Sequence, residues 1–113
     1  MKDFLFLFRN DYKSVPAASP EEMQAEMKKW MDWIGGIAAQ NKLTNPGNPL
    51  GSAGKVVRPG NVITDGPYTE IKELVGGYIV VKAASFDEAA EMAKGCPILK
   101  SGGNVEVRDV VPM

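Results

Sequence analysis

The first strand-like segment of the chain is apolar on both of its faces, and this restricts the folds that the chain can adopt. Residues 2–9 read KDFLFLFR, so that one face carries Phe4, Phe6 and Phe8 and the other carries Leu5, Leu7 and Arg9. A strand with two apolar faces requires cover on both sides. A chain of 113 residues has helices enough for one side. The second face therefore predicts burial against a second subunit, in a homodimer.

Two helix starts can be recognised from the same capping pattern. Ser19-Pro20-Glu21-Glu22 and Ser85-Phe86-Asp87-Glu88 each place a serine at the N-cap and a glutamate three residues later. Apolar residues then recur at helical spacing and predict a core-facing stripe in each helix. The predicted stripe residues are Met23, Met27, Trp30, Ile34 and Ala38 in the first helix, and Phe86, Ala89, Ala90 and Ala93 in the second. Trp33 lies off its stripe and is predicted to line the dimer contact or a pocket.

The remaining strands complete an alternating pattern of elements. Arg58-Pro59-Gly60 separates two short β-like runs and predicts a hairpin. Residues 76–82 and 104–111 predict two further strands on either side of the second helix. The order strand, helix, strands, helix, strand is the split βαβ pattern of a ferredoxin-like α+β domain. We expect one domain covering residues 1–113.

Composition excludes several classes of function. The net charge is −1 and the pI is about 5.4, so no nucleic-acid partner is expected. The apolar run FLFLF is too short to cross a membrane, no export signal is visible, and the expected location is the cytoplasm. The single Cys96 allows no disulfide within the chain. No residue set has metal-ligand spacing, and no cofactor is expected. The chain has no histidine, so any catalysis must use other groups.

Ionisable and hydroxyl-bearing side chains are concentrated in residues 62–78, VITDGPYTEIKELVGGY. Its run TDGPYTEIKELVGGY resembles the signature of YCII-related proteins of the DGPF type, with Tyr68 in place of the phenylalanine. The resemblance continues through EAAEMAKGCP and GGNVEVRDV. It implies a ferredoxin-like domain that pairs into a dimeric α/β barrel. Some family members resemble lyases or dehalogenating enzymes that use a His-Asp pair, a mechanism that a chain without histidine cannot use unchanged.

Asp65 is the predicted catalytic residue, as an acid/base or binding carboxylate; the alternative is that it only caps the Asp-Gly-Pro turn. An acid/base role requires partial burial, because desolvation raises a carboxylate pKa. The predicted ligand-binding residues are Arg9, Tyr68, Glu70, Lys72 and Tyr78. Arg9 is expected to meet an anionic substrate or to pair with Asp65 or Glu70. The glycines at 76 and 77 indicate either close approach of a backbone or ligand, or a β-bulge.

These residues predict a pocket near Asp65 that binds a small carboxylate or an aromatic metabolite. One alternative is a small lyase or isomerase that uses Asp65 as acid/base. The other is a dimeric module that interacts with a partner without catalysis. A buried Asp65 would favour catalysis, and an exposed Asp65 would favour binding or a structural role.

Overall fold

A computed structural model describes residues 1–11, 18–66 and 74–113 of the chain. Its elements in chain order are β1 (Lys2–Asn10), α1 (Pro20–Ala39), β2 (Leu43–Pro49), β3 (Gly54–Arg58), β4 (Val62–Gly66), β5 (Leu74–Ala83), α2 (Phe86–Ala93), a 3₁₀ helix (Pro97–Ser101) and β6 (Asn104–Asp109). Tyr68, Glu70 and Lys72 lie outside the described residues.

The main sheet has four antiparallel strands in the order β2-β5-β1-β6. The arrangement is α+β and consistent with the predicted split βαβ pattern. Strands β3 and β4 pair only with each other, in a separate two-stranded sheet. The turn between them contains Pro59 and Gly60, and Gly60 has a φ of 81°, as a type II turn requires at that position. The predicted hairpin is therefore present, as an addition to the main sheet.

One face of the main sheet forms the core together with the helices. Phe4, Phe6 and Phe8 point to this face and are buried, as are Ile79 and Val81 of β5. The other face carries half-buried side chains, of which Leu5, Leu7, Tyr78 and Val80 form the centre. We call this second surface the open face. The sequence argument was that the helices of this chain suffice to cover one side of β1. In the described part of the chain, the helices cover one side only.

Both predicted helix starts are confirmed. The Ser19 hydroxyl accepts a hydrogen bond from the backbone N–H of Glu22, and Ser85 accepts one from Glu88. These bonds satisfy backbone donors that the first turn of a helix leaves unpaired. Each helix therefore begins where its serine predicts.

The predicted core stripe of α1 is wrong over part of its length. Met23 and Met27 are exposed, and so is Ala38. The helix instead packs through Trp30, Ile34 and two residues off the predicted stripe, Trp33 and Ile37. Trp33 is half-buried and packs against the core: its indole N–H donates to the carbonyl of Met92 at 3.1 Å, and its ring stacks on Phe6. The stripe was misassigned because its methionines face a groove beside the core.

The stripe of α2 is correct only in part. Ala89 and Ala93 are buried, whereas Ala90 is exposed. Phe86 is also largely exposed, although the edge of its ring meets Phe4 with centroids 5.0 Å apart. A helix of only eight residues buries one narrow strip against the sheet, so the positions beside that strip face solvent.

Candidate functional site

A groove of about 460 Å³ lies between the N-terminal half of α1 and strands β2 and β5. Its described lining residues are Phe8, Ala18, Glu22, Met23, Glu26, Met27, Trp30, Ile34, Pro46, Asn48, Pro49, Gly76, Gly77, Tyr78 and Ile79. Most of these side chains are apolar. A groove of this size and character matches sites that hold small organic molecules.

The groove wall on α1 is built from large, adaptable side chains. Met23 and Met27 lie one turn apart, and Trp30 continues the wall toward the core. Trp30 meets the ring of Phe8 edge to face, with centroids 4.8 Å apart. Methionine fills irregular space, and aromatic faces stack on planar ligands. This wall therefore suits a flat, apolar ligand.

The opposite wall depends on close contact between the backbones of β2 and β5. A Cβ atom at Gly77 would lie 3.2 Å from the carbonyl oxygen of Asn48 and 3.4 Å from Cα of Pro49. Gly47 has a φ of 60°, and a Cβ there would overlap the carbonyl oxygen of Tyr78. Only glycine permits these approaches without displacement.

The sequence left two explanations for the glycine pair at 76 and 77, a close backbone approach and a β-bulge. Each explanation applies to one of the two glycines. Gly77 permits the approach of β2. Gly76 lies at the irregularity in the pairing of β1 with β5, where Phe8 faces Gly77 and Arg9 faces Val75. The extra residue is a β-bulge, which locally bends a strand. The bulge lies on the wall of the groove.

Among the described residues, the charged groups that line the groove are acidic. Glu22 and Glu26 lie on its α1 side, and no lysine or arginine lines it among the residues that the structure describes. The carboxylate of Glu26 is 3.8 Å from the ammonium group of Lys29, a long and exposed ion pair. Two carboxylates disfavour an anionic ligand at the same rim.

Asp65 does not line the groove. It lies in β4, and its carboxylate bonds to the ammonium group of Lys55 on β3 at 2.5 Å. The Asp65 side chain is 90% exposed, the exposure for which the sequence argument expected a binding or structural role. A catalytic role for Asp65 remains a prediction.

Arg9 lies on the side of β1 that bears the open face. Its guanidinium donates to Glu106 on β6 at 2.9 Å, and Arg108 donates to the other oxygen of the same carboxylate at 3.3 Å. These hydrogen bonds, that of Arg9 first, hold the pKa of Glu106 below its ordinary value. We call this group the Arg9–Glu106–Arg108 cluster. The sequence argument had not named Glu106 among the expected partners of Arg9.

Tyr78 is the one predicted ligand-binding residue, within the described part of the chain, that lines the groove, although its side chain lies on the open face beside Leu7. The structure thus separates three described candidates: Tyr78 at the groove, Arg9 in its cluster on β1 and β6, and Asp65 on the hairpin. The sequence missed Glu22, Glu26 and the two methionines. Each pair, Glu22 with Glu26 and Met23 with Met27, has the i, i+4 spacing of one helix face. That spacing does not show whether the face meets the core or the wall of a groove.

Other kinds of site receive no support from the described residues. They contain no group of three or more acidic or cysteine side chains that could hold a metal ion. Burial raises the pKa of the Cys96 thiol to about 12, which disfavours the thiolate that a nucleophile needs. None of the described helices is both long enough and apolar enough to span a membrane.

The sequence matches the YCII-related domain over residues 4–113. The protein belongs to the YCII-related family. This confirms the family expected from the TDGPYTEIKELVGGY run, while the DGPF subtype stays a prediction. A comparison with curated proteins finds no match.

The fold of this YCII-related protein is similar to that of a solved enzyme structure. That structure is the 5-chloro-2-hydroxyhydroquinone dehydrochlorinase TftG from Burkholderia phenoliruptrix AC1100, in complex with 2,5-dihydroxybenzoquinone. The TM-score is 0.51 and the sequence identity is 18%, over 98% of this chain and 95% of the other. At this identity the likeness concerns the fold.

Proposed function

We propose that this YCII-related domain binds a small aromatic metabolite in the groove between α1, β2 and β5. The observation that carries the proposal is the apolar wall of Met23, Met27 and Trp30, which faces the glycine-containing edge of β5. The sequence left a carboxylate and an aromatic metabolite open as ligands. Glu22 and Glu26 favour the aromatic metabolite, because an anionic ligand would meet two like charges at the rim. The dehydrochlorinase that shares this fold is in complex with a small cyclic organic molecule, 2,5-dihydroxybenzoquinone, which supports a small organic ligand as the general class.

Binding is favoured over turnover as the primary activity. Asp65 was the predicted acid/base, and in the single chain its carboxylate is exposed and paired with Lys55. Action as a lyase or isomerase would require another surface to cover Asp65 and exclude water from it. The enzyme alternative therefore depends on an assembly larger than one chain.

We also propose that the protein is a homodimer in which the open face is covered by the second copy. Leu5, Leu7, Tyr78 and Val80 form the apolar centre of this face. The accessible surface of the chain is 7968 Å², compared with roughly 6,100 Å² for a compact monomer of this mass. The difference, about 1,900 Å² for one chain, exceeds the roughly 800 Å² per partner of a standard interface and falls in the range of large obligate dimers. The radius of gyration, 15.5 Å, also exceeds the roughly 13 Å of a compact domain of this length.

A titration with three matched probes tests the ligand proposal. Benzyl alcohol, benzylamine and benzoate share one ring and differ in charge. We expect ligand-observed NMR to detect benzyl alcohol and benzylamine and to show weaker or absent binding of benzoate. Equal binding of all three probes, or binding of benzoate alone, would contradict a groove with an acidic rim.

Two variants on one helix locate the binding. Met27 lines the groove, whereas Met31, one turn further along α1, is not among the lining residues. The two side chains are 64% and 66% exposed, so both positions tolerate a polar residue. Met27→Glu should weaken benzyl alcohol binding about tenfold through lost apolar contact. Met31→Glu should leave it unchanged; equal effects would place the ligand elsewhere.

A further inference from the structure

Two acidic side chains of the groove lie in one row of α1 with an aromatic side chain. Glu22, Glu26 and Trp30 follow one another at intervals of four residues, and all three line the groove. Residues four apart on a helix lie on the same face, about 6 Å apart along its axis. Trp30 packs against the core. The row therefore runs from two carboxylates in the N-terminal half of α1 to an indole ring beside the core.

The carboxylate of Glu26 is available to a ligand. Its ion pair with Lys29 is long, at 3.8 Å, and the Lys29 side chain is 60% exposed. A pair of this kind contributes little. Glu26 also lies beyond the first turn of α1, where the helix N-terminus no longer stabilises a negative charge. Since no described lysine or arginine lines the groove, a cation beside Glu26 would have to come from the ligand.

The charge of Glu26 also acts on the interior of the protein. Burial is the first cause that raises the pKa of the Cys96 thiol, and the negative charge of Glu26 raises the same pKa further. Cys96 is only 2% exposed. Opposite charges attract more strongly beside apolar surface than in bulk water. Glu26, with Met27 and Trp30 next to it on the groove wall, is therefore better placed to hold a cation than a fully solvated glutamate.

We infer that the groove prefers aromatic ligands that carry an ammonium group on a short alkyl chain. The ring lies against Met27 and Trp30, and the ammonium group lies one helical turn away, beside Glu26 and Glu22. Apolar contact supplies affinity, and the two carboxylates select the charge. The inference rests on the aromatic site proposed above and names the charge of its ligand.

A pair of matched probes tests the charge preference. Phenethylamine and phenethyl alcohol share a ring and an alkyl chain, and only the amine is a cation at neutral pH. Ligand-observed NMR titrations at low salt should show the amine binding roughly fivefold more tightly, the upper end for a partly exposed ion pair. The preference should shrink as salt is added, because salt screens exposed charges.

Two glutamine variants of α1 locate the ammonium group. Glu26→Gln removes the charge at nearly constant size and should reduce binding of the amine to the level of the alcohol. Glu21→Gln makes the same change in net charge at an exposed position that is not among the lining residues, and it should keep the preference. Neither side chain is buried, so both variants should fold.

The outcomes separate this inference from the proposal on which it rests. Equal binding of the two probes to the wild type would overturn the charge preference and leave the aromatic site in place. An unchanged preference in Glu26→Gln, or equal losses in both variants, would overturn it as well. Equal losses would indicate attraction by the net negative charge of the chain. Failure of both probes to bind would overturn the inference together with the proposed site.

Discussion

The two helices cover the same face of the sheet in different ways. The short α2 buries Ala89 and Ala93, whereas the 20-residue α1 buries only Ile37. Alanine side chains let a helix backbone lie close to a sheet and leave little space between them. The large side chains of α1 meet the core through Trp30 and Trp33 and leave the groove beside its N-terminal half. Side-chain size at the interface, rather than helix length, decides which helix borders the groove.

The largest expected effect concerns Trp33, which joins the two helices. Its ring packs on Phe6 and Phe8, and its N–H bonds to Met92 on α2. Trp33→Ala should lower the free energy of unfolding by about 3–5 kcal/mol, measured by urea denaturation. Trp33→Phe keeps an aromatic ring and loses the hydrogen bond, so it should cost about 1 kcal/mol. Equal losses in the two variants would show that the ring contributes little.

An intermediate effect tests the close approach of α2. Ala89 is fully buried, and its neighbour Ala90 is exposed. Ala89→Leu should destabilise the protein by about 1–3 kcal/mol, because the added side chain must push the helix from the sheet. Ala90→Leu should change stability by less than about 0.5 kcal/mol. A neutral Ala89→Leu in urea denaturation would mean that α2 packs as loosely as α1.

The smallest effect concerns the ion pair that connects the chain after α1 to α2. The ammonium group of Lys42 bonds to the carboxylate of Glu88 at 2.9 Å, and this bond holds the pKa of Glu88 below its ordinary value. A lowered folded-state pKa contributes stability that is present above the unfolded pKa, about 4.3 for Glu. That contribution is lost as the pH falls through the folded-state pKa.

Thermal melts as a function of pH measure this pair. Wild type should exceed Glu88→Gln in stability at neutral pH, and the difference should shrink as the solution is acidified through the pKa of Glu88. Lys42→Met should give the same profile as Glu88→Gln, and the double variant should add nothing further. A difference that is constant with pH would indicate that the glutamine substitution acts through packing.

The elements that could be predicted from sequence depend on local contacts. The Ser19 and Ser85 caps and the Pro59-Gly60 turn form within a few residues, so short patterns specify them. The YCII-related family was also recognisable from one continuous run. Fold class followed from the order of these elements. Their local geometry requires no knowledge of distant residues.

The site was less predictable because it depends on distances between elements. The spacing of Met23 and Met27 shows that they share a helix face. Whether that face meets the sheet depends on how Trp30 and Trp33 pack α1 against the core. Likewise, Arg9 could be placed on a strand, while its partner Glu106 lies 97 residues away. The sequence by itself therefore determined most of the elements, the two serine caps and the family, whereas strand β2 was not predicted. The tertiary structure decided the groove, the exposure of Asp65 and the separation of the hairpin, since these depend on packing between residues far apart in the chain.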